Sequence, residues 1–267
     1  MKRIKKTIKA IIEIIKNPWL LNNVLADDIV WDNYLRKKYQ LSSLPLVEID
    51  ELIPNFSETL ECVAFLDGGS LPTDIALLKS LSKKFKNCKY FEIGTWRGES
   101  VINVAEISEE CYTLNLSEIE MQEKGLSKQY GDLLGFFSKG KNNITHLHGN
   151  SLNYDFKAIN RKFDLIFIDG DHHYEYVKND TEKIFKHLMH DNTIVVWHDY
   201  AYDPEKIRPE VLAAILDGIP SECRNNLYHV SNTMCAIFTK EEFKTSMLQA
   251  PMTPNKKFRI KIECQNL

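Results

Sequence analysis

The chain lacks three features that would place it in a broad class at once: a C-x-x-C pair, a long uninterrupted apolar run and an excess of basic charge. The six cysteines are scattered, which favours reduced thiols over a disulfide framework or a zinc site. No secretory signal is recognisable, so we expect a cytoplasmic protein. A net charge of −3 gives no electrostatic reason to expect nucleic acid as a partner.

The length and composition are those of a soluble globular protein. The chain has 267 residues, 43% hydrophobic and 27% charged, which is enough for a full-sized core. We predict a helical N-terminal extension over residues 1–65, a main domain over 66–245 and a tail over 246–267. In the tail, Phe258, Ile260 and Ile262 alternate with charged residues. This pattern is typical of an edge strand, or of an arm that contacts a second subunit in a homo-oligomer.

The first sixteen residues predict an amphipathic helix. Isoleucines recur at helical spacing on one face, basic residues surround them, and Asn17 and Pro18 end the pattern. One interpretation is peripheral contact with the inner, anionic face of a membrane. The other is packing against the rest of the chain or a second subunit. The isoleucines are Ile4, Ile8, Ile11, Ile12 and Ile15.

The most informative stretch is KFDLIFIDGDHHY, residues 162–174. Its apolar block, residues 165–168, is typical of a strand buried on both faces of a parallel sheet. Acidic residues and histidines follow at the carboxyl end, where open α/β sheets bind ligands. A second apolar run, residues 193–197, also ends in a histidine and an aspartate. If the two strands are neighbours, one rim holds Asp169, His172, His198 and Asp199.

A glycine turn lies upstream in YFEIGTWRGES, residues 90–100. The stretch predicts a strand, a turn through Gly94 and Gly98, and a helix from Glu99, with free backbone N–H groups converging at the turn. The spacing is E-x-G-x-x-x-G and not the G-x-G-x-x-G of dinucleotide enzymes. Before it, LDGGSLP at residues 66–72 is either a loop that closes over a cofactor or a simple linker, and Thr73 is expected to cap the next helix.

Strands and helices alternate from residue 73 onward, which predicts a doubly wound parallel sheet. The expected helices include a long one from Glu118 to residue 137 and another near residues 205–216. The last two strands, residues 227–230 and 234–239, are joined by three residues. That connection is too short for a parallel crossover, so one strand at the sheet edge must run antiparallel.

With these motifs in this order, the chain resembles the class I S-adenosylmethionine-dependent methyltransferases over about residues 73–240. The motifs IDGDHHY and VVWHDY resemble a branch that O-methylates small molecules, including sugars. The resemblance implies a seven-stranded Rossmann-like α/β sheet with an antiparallel edge strand. It also implies S-adenosylmethionine as cofactor and a small hydroxylated acceptor, such as a sugar of a surface glycan or natural product. The cofactor-binding residues that it implies are Glu92, Gly94, Thr95, Trp96, Gly98, Ser100, Asn115, Asn150, Ser151 and Asp169.

Two of these positions depart from the family pattern. The family usually has acidic residues where this chain has Asn115, expected near the ribose, and Asn150, expected near the adenine. An amide can still accept one hydrogen bond and donate another, but it loses the charge assistance of a carboxylate. Either cofactor binding is weaker than usual, or both asparagines are loop residues.

The same resemblance implies catalytic roles on the rim, with a strand-end aspartate that binds a divalent metal and a histidine base three positions later. Asp169 and His172 fit that spacing. A hydroxyl needs such a base, or a metal that lowers its pKa, before it becomes a good nucleophile. Asp169 and Asp199 offer hard oxygen ligands for Mg²⁺, although metal-free relatives share much of the pattern. His198 ligates a softer ion, touches substrate or packs at the strand end.

Other interpretations stay open at this level. Asp169 could cap the following helix while His172 is simply solvated. An NAD-type oxidoreductase on a similar sheet is a second enzyme class, against which the missing G-x-G-x-x-G and the terminal hairpin speak. A non-catalytic cofactor-binding protein is a third class, favoured by Asn115 and Asn150.

Overall fold

The computed structural model describes residues 2–17 and 28–266, in which helices flank one large β-sheet. Short 3-10 helices lie at Phe156–Ile159 and Ser221–Asn226. The α-helices are α1 (Lys2–Lys16), α2 (Asp28–Tyr39), α3 (Ile49–Leu52), α4 (Pro72–Ser82), α5 (Glu99–Ala105), α6 (Glu118–Glu123), α7 (Lys128–Leu133), α8 (Tyr174–His187) and α9 (Pro209–Gly218).

Nine of the strands form the large sheet, and two form a separate hairpin. The nine are β1 (Leu46–Val47), β2 (Lys89–Ile93), β3 (Glu110–Asn115), β4 (Ile144–His148), β5 (Phe163–Ile168), β6 (Met189–Trp197), β9 (Leu227–Val230), β10 (Ala236–Phe238) and β11 (Thr245–Ser246). The hairpin consists of β7 (Ala201–Asp203) and β8 (Lys206–Ile207).

The sheet has the order β11-β1-β9-β10-β6-β5-β2-β3-β4. Strands β6, β5, β2, β3 and β4 are parallel, and helices in the connections cover the two faces of the sheet. Strand β10 runs antiparallel to both β6 and β9. Beyond β9, β1 pairs in parallel and β11 then pairs antiparallel.

Strand β5 shows how the sequence builds two core layers. Successive side chains of a strand point to opposite faces, and every residue from Leu165 to Ile168 is buried. Ile166 and Ile168 pack in the layer with α8 and α9, whereas Leu165 and Phe167 pack in the layer with α4 and α5. An apolar run with no alternation is therefore required at this position.

The predicted Rossmann-like α/β fold is confirmed. Its seven strands are β9, β10, β6, β5, β2, β3 and β4, and the sheet gains β1 and β11 at one side. The predicted antiparallel strand is β10, and it lies inside the sheet because β9 occupies the place beyond it. An antiparallel strand also stands at the outer edge, where β11 pairs with β1.

Three local features differ from the sequence-based expectation. The helix expected from Glu118 to residue 137 is two short helices, separated by a turn in which Gly125 has φ +73°. The helix expected near residues 205–216 begins only at Pro209, because residues 201–207 form the β7–β8 hairpin. Helix α4 begins at Pro72, a favoured first residue, so Leu71 and not Thr73 is its N-cap.

The two ends of the chain also differ from the expected division. Strand β1 belongs to the sheet, so residue 65 does not mark the edge of the main domain. No strand is present within residues 250–266, where an edge strand was one expectation, because the short strand β11 already pairs with β1. The tail is instead held by side chains, with an ion pair between Lys256 and Glu48 and an edge-to-face contact of Phe258 with Phe56 at 6.5 Å.

Helix α1 forms as expected, and its five isoleucines are 46–73% exposed. The predicted stop at Pro18, and residues 18–27 of the predicted N-terminal extension, lie outside the described residues. In the ranges 2–17 and 28–266, no helix has both the length and the apolar character needed to cross a membrane.

Asp217 of α9 fastens α2 to the main domain. Its carboxylate accepts hydrogen bonds from Tyr34 at 2.5 Å, from Tyr174 at 2.7 Å and from Tyr39, and it pairs with Lys38 at 2.5 Å. Burial alone would raise the pKa of Asp217, but these donors hold it below the usual range.

We expect Asp217→Asn to lower the free energy of unfolding by about 1–3 kcal/mol at pH 7, because tyrosine donors lose a charged acceptor. A carboxyl with a depressed folded pKa stabilises the protein above its unfolded pKa, about 3.9. The difference between wild type and variant should therefore shrink as pH falls below about 4. Urea titrations across that range measure it. Asp191→Asn, at a fully exposed aspartate, is the control, and an equal loss in both variants would contradict the assignment.

Candidate functional site

Three parallel strands end together and bring the predicted rim residues to one place. In the sheet register, Ile168 lies opposite both Ile93 of β2 and Trp197 of β6. The residues that follow continue the ladder, since Asp169 N donates to Ile93 O at 2.8 Å and His198 N donates to Ile168 O at 2.9 Å. Asp169 and His198 therefore lie side by side.

His198 is at the centre of an acid–histidine cluster that consists of Asp74, Asp169, His198 and Asp199. Its Nδ1 is 2.9 Å from Asp169 Oδ1 and 3.6 Å from Asp199 Oδ2, and its Nε2 is 3.1 Å from Asp74 Oδ2. Burial alone would lower the pKa of His198, but the carboxylates, Asp169 first, raise it well above its usual value. The imidazole is therefore expected to be a cation in this arrangement.

The carboxylates respond in different ways to the same surroundings. Burial raises the pKa of Asp169, although the neighbouring His198 opposes that shift. Burial would also raise the pKa of Asp199, but hydrogen bonding and charge from His198, with the charge of Arg208, lower it. Asp169 does not cap α8, because its carboxylate is directed to His198 and the N-cap of α8 is His173.

Two members of this region could not be recognised from the sequence. Asp74 is fully buried in the first turn of α4 and reaches His198 across 124 positions of the chain. Arg208 places Nη2 3.4 Å from Asp199 Oδ1 and its guanidinium 4.5 Å from the centre of the Tyr202 ring. In the sequence, Asp74 is only an acidic residue in the first turn of a predicted helix, and no spacing relates Arg208 to the strand ends.

His172 and its neighbour His173 have different surroundings. His172 lines the same small cavity as Asp169, His198 and Asp199. Partial removal of the ring from water lowers the pKa of His172, and the positive charge of Arg208 lowers it further. His173 turns to Asp171 Oδ1, which lies 2.5 Å from its Nδ1. As expected from the start of α8, His173 is outside the cavity lining.

The glycine turn after β2 needs glycine for steric reasons. Gly94 has φ +90°, and a Cβ there would lie 1.9 Å from the carbonyl oxygen of Asp169. Gly98 has φ +84°, and a Cβ there would lie 2.6 Å from Ser138 Oγ. Both positions favour a residue without a side chain, so the turn can approach the end of β5 closely.

Glu92 supports this turn from inside the sheet. It is fully buried and accepts hydrogen bonds from Tyr90 at 2.8 Å, Ser100 at 2.8 Å and Thr113 at 3.1 Å. Thr113 also bonds to Thr95, the second residue of the turn. Burial raises the pKa of Glu92 to about 7. Glu92 and Ser100 are predicted cofactor-binding residues. In the structure Ser100 donates to Glu92, and this contact positions the turn.

Asn115 and Asn150, the two residues that depart from the family pattern, have different contacts. Asn115 ends β3 beside the turn, and its Oδ1 accepts a hydrogen bond from Thr95 N at 3.1 Å. Asn150 Oδ1 instead accepts from Leu152 N at 3.0 Å, which closes a local turn. The carbonyl oxygen of Ser151 accepts from Lys183 at 2.9 Å. Asn115 is thus part of the turn, whereas the side-chain oxygen of Asn150 is used within its own loop.

The loop at residues 66–72 lies against the glycine turn. Asp67 O accepts hydrogen bonds from Arg97 at 2.7 Å and from the Trp96 indole at 3.4 Å. Trp96 also packs against Tyr130, with ring centres 4.7 Å apart and planes tilted by 35°. These contacts hold the loop against the glycine turn.

The residues present fit the two groups that the resemblance implies. At the turn, Gly94 and Gly98 allow the tight left-handed backbone that leads into α5, and the first backbone N–H groups of a helix suit an anionic group of a cofactor. At the cluster, Asp169, His198 and Asp199 each offer one ligand atom within 4.8 Å of the others. His198 Nδ1 is buried and lacks a well-aligned hydrogen bond despite its 2.9 Å contact with Asp169. Such a donor set suits a divalent cation.

Comparisons with known proteins agree with this arrangement. Residues 91–200, from β2 through both polar strand ends, match the family described as methyltransferase domain. No curated protein matches the chain in sequence.

Several solved structures resemble this chain in structure at low sequence identity. A methyltransferase of Podospora anserina bound to S-adenosylhomocysteine is 18% identical over 65% of this chain and 80% of its own, with a TM-score of 0.45. An O-methyltransferase of Streptomyces achromogenes, involved in tomaymycin synthesis, is 14% identical over 65% and 82%, with a TM-score of 0.45. An O-methyltransferase of Bacillus cereus is 16% identical over 80% and 100%, with a TM-score of 0.43.

We expect Gly94→Ala to abolish binding of S-adenosylhomocysteine, because the new Cβ would meet the Asp169 carbonyl and displace the turn. The free energy of unfolding should fall by more than the ~1–2 kcal/mol that a left-handed backbone alone costs an alanine. Calorimetry and urea titration measure the two effects. Gly140→Ala is the control, since its φ is +78° and nothing lies within 4 Å of its Cβ. Full binding by Gly94→Ala would contradict the steric role.

Proposed function

We propose, from the premise that this chain is a class I S-adenosylmethionine-dependent methyltransferase, that it methylates a hydroxyl of a small acceptor with His172 as base. One observation carries the proposal: His172 lines a single cavity with Asp169 and Asp199, at the strand edge next to the glycine turn. His172, the acidic groups and the glycine turn thus lie along one strand edge.

The chain has to orient two reactants. When bound, S-adenosylmethionine supplies a methyl group on a sulfonium, which requires in-line approach of the nucleophile. Gly94 and Gly98 let the turn pack directly against Asp169 and Ser138, and the hydrogen bond from Thr95 N to Asn115 Oδ1 fixes the backbone of the turn. The loop around Asp67 covers the turn through Arg97. The acceptor would then enter from the side of His172.

His172 is suited to accept the proton of the acceptor hydroxyl. Its lowered pKa keeps the ring neutral at neutral pH, and a neutral imidazole is the form that can act as a base. The charge of Arg208 contributes to that lowering. His173 lacks this role because its ring is engaged by Asp171.

We further propose that Asp169, Asp199 and His198 Nδ1 hold a divalent cation such as Mg²⁺. Bound there, the cation would lower the pKa of the acceptor hydroxyl and assist His172. The support is the close approach of three donor atoms, one of them the buried and poorly satisfied His198 Nδ1.

A sugar of a surface glycan or natural product is the acceptor class that we propose. The cavity side of the rim carries Asp171, His172 and Asp199, which offer hydrogen-bond partners for several hydroxyl groups of one acceptor. An acceptor with a single apolar contact surface would leave these polar groups unpaired.

We expect His172→Ala to reduce methyl transfer about 10²–10⁴-fold, the usual contribution of a positioned base, with unchanged affinity for S-adenosylhomocysteine. Transfer of labelled methyl from S-adenosylmethionine to methyl glycosides and nucleotide sugars measures it. For wild type, the rate should fall as pH drops below the lowered pKa of His172, and so below about 6.5. His173→Ala is the matched control.

The outcomes separate the competing functions. Equal turnover by His172→Ala and wild type would remove the base assignment. Stabilisation of the protein by NADH, and not by S-adenosylhomocysteine, would favour an NAD-type oxidoreductase. Cofactor binding without turnover on any hydroxylated acceptor, together with unchanged glycan masses in cells lacking the protein, would favour a non-catalytic cofactor-binding role.

We propose that α1 attaches the protein peripherally to an anionic membrane. The helix carries six basic residues and one acidic residue, a net charge of +5, whereas the whole chain has a net charge of −3. Its isoleucine face is exposed, which leaves apolar surface available for insertion between headgroups. Basic charge and apolar surface on one helix favour lipids with anionic headgroups.

We expect the Ile8→Ser, Ile12→Ser double variant to lose cosedimentation with vesicles of phosphatidylcholine and phosphatidylglycerol. Wild type should bind them better than phosphatidylcholine alone, and added salt should weaken binding. Ile260→Ser, Ile262→Ser is the control, because those isoleucines are 68% and 71% exposed in the tail. A different outcome would show that the isoleucine face contacts a second subunit. In that case wild type binds neither kind of vesicle, and the double variant has a lower molecular mass than wild type in analytical ultracentrifugation.

A further inference from the structure

Asp74 has an unusual number of partners for a residue that begins a helix. Its Oδ2 accepts a hydrogen bond from Leu71 N at 2.9 Å and lies 3.1 Å from His198 Nε2. Its Oδ1 accepts from Met234 N at 2.9 Å and lies 3.7 Å from Cys235 Sγ. One carboxylate thus connects the start of α4, the end of β6 and the turn between β9 and β10.

The burial of Asp74 requires an explanation beyond capping. The side chain has no exposed surface, and a carboxylate removed from water is unfavourable unless its charge is compensated. A neutral asparagine could accept a bond from a backbone N–H group, as caps commonly do. The partner that benefits from the full negative charge is the imidazole of His198.

The contact also determines which ring nitrogen of His198 faces the rim. The two nitrogens are on different sides of the ring, so fixing Nε2 at Asp74 directs Nδ1 to Asp169 and Asp199. Phe167 packs near the ring with centres 5.8 Å apart and planes at 70°, which restricts other ring orientations. A ligating or donating nitrogen needs such support from a second residue.

We infer that Asp74 is a positioning residue of the site, which holds His198 through Nε2 so that Nδ1 faces Asp169 and Asp199. The inference rests on the proposed function only for the use of that nitrogen, as a ligand of a divalent cation. The ring orientation itself can be tested without cofactor, acceptor or metal.

The chain offers a matched control for Asp74→Asn. Asp164 also pairs with a histidine, 2.9 Å from His190 Nε2, and it also accepts from a backbone N–H, that of Lys89 at 2.8 Å. It lies near the start of β5, at the opposite end of the sheet. Asp164→Asn therefore removes an equivalent aspartate–histidine pair outside the site.

The first measurement is the side-chain NMR spectrum of the full chain labelled with ¹⁵N-histidine, in which His198→Gln assigns the His198 signals. We expect wild type to show a slowly exchanging Nε2–H signal of His198, and Asp74→Asn to lose or shift it while Asp164→Asn does not. Absence of that signal in wild type, or its persistence in Asp74→Asn, would overturn the inference. The wild-type spectrum keeps the inference testable if Asp74→Asn does not fold.

The second measurement is calorimetric titration with Mn²⁺. We expect Asp74→Asn to bind Mn²⁺ about 10–100-fold more weakly than wild type, as for other residues that support a metal-ligating histidine. Asp164→Asn should match wild type. If wild type binds no Mn²⁺, the proposed cation site fails while the NMR result still decides the role of Asp74. Equal Mn²⁺ affinity of Asp74→Asn and wild type would overturn the inference.

Discussion

The in-register parallel pairing of β5 with β2 and β6 is the constraint on which the site depends. Because Ile168 is level with Ile93 and Trp197, the next residue of each strand emerges at the same height. Strands β2 and β5 are so close that the first residue after β2 has to be a glycine, since any side chain at position 94 would meet the backbone of Asp169. The glycine turn and the acid–histidine cluster are thus two parts of one strand edge.

The charges at this edge also depend on one another. Asp169, Asp199 and Asp74 surround one histidine, and each would be costly to bury alone. Their shared contact with His198, and the contact of Asp199 with Arg208, compensate that cost. Because Arg208 also lowers the pKa of His172, a change at Arg208 would affect both the carboxylates and His172.

The sequence predicts the strand ends well, because the signal there is local. An apolar block followed by polar residues marks Asp169 and His198, and glycine spacing marks the turn at Gly94. Asp74 escapes this reasoning because its partner is 124 residues away and its local pattern is that of a helix cap. Asn150 was placed near the adenine by analogy, but its oxygen bonds to a neighbouring backbone N–H, a competition that spacing does not reveal.

The sum of the charges in the site indicates what kind of ligand the cluster suits. With His198 and Arg208 both cationic, the carboxylates of Asp74, Asp169 and Asp199 leave one negative charge in excess. A ligand with a single positive charge nearby, such as a sulfonium, would balance it. If His198 instead gives up its Nδ1 proton, the excess becomes two negative charges, which a divalent cation would balance. In both cases the excess negative charge favours a cationic ligand, because charges attract more strongly where water is partly excluded. The histidine proton and a metal ion are therefore alternative occupants of the same position.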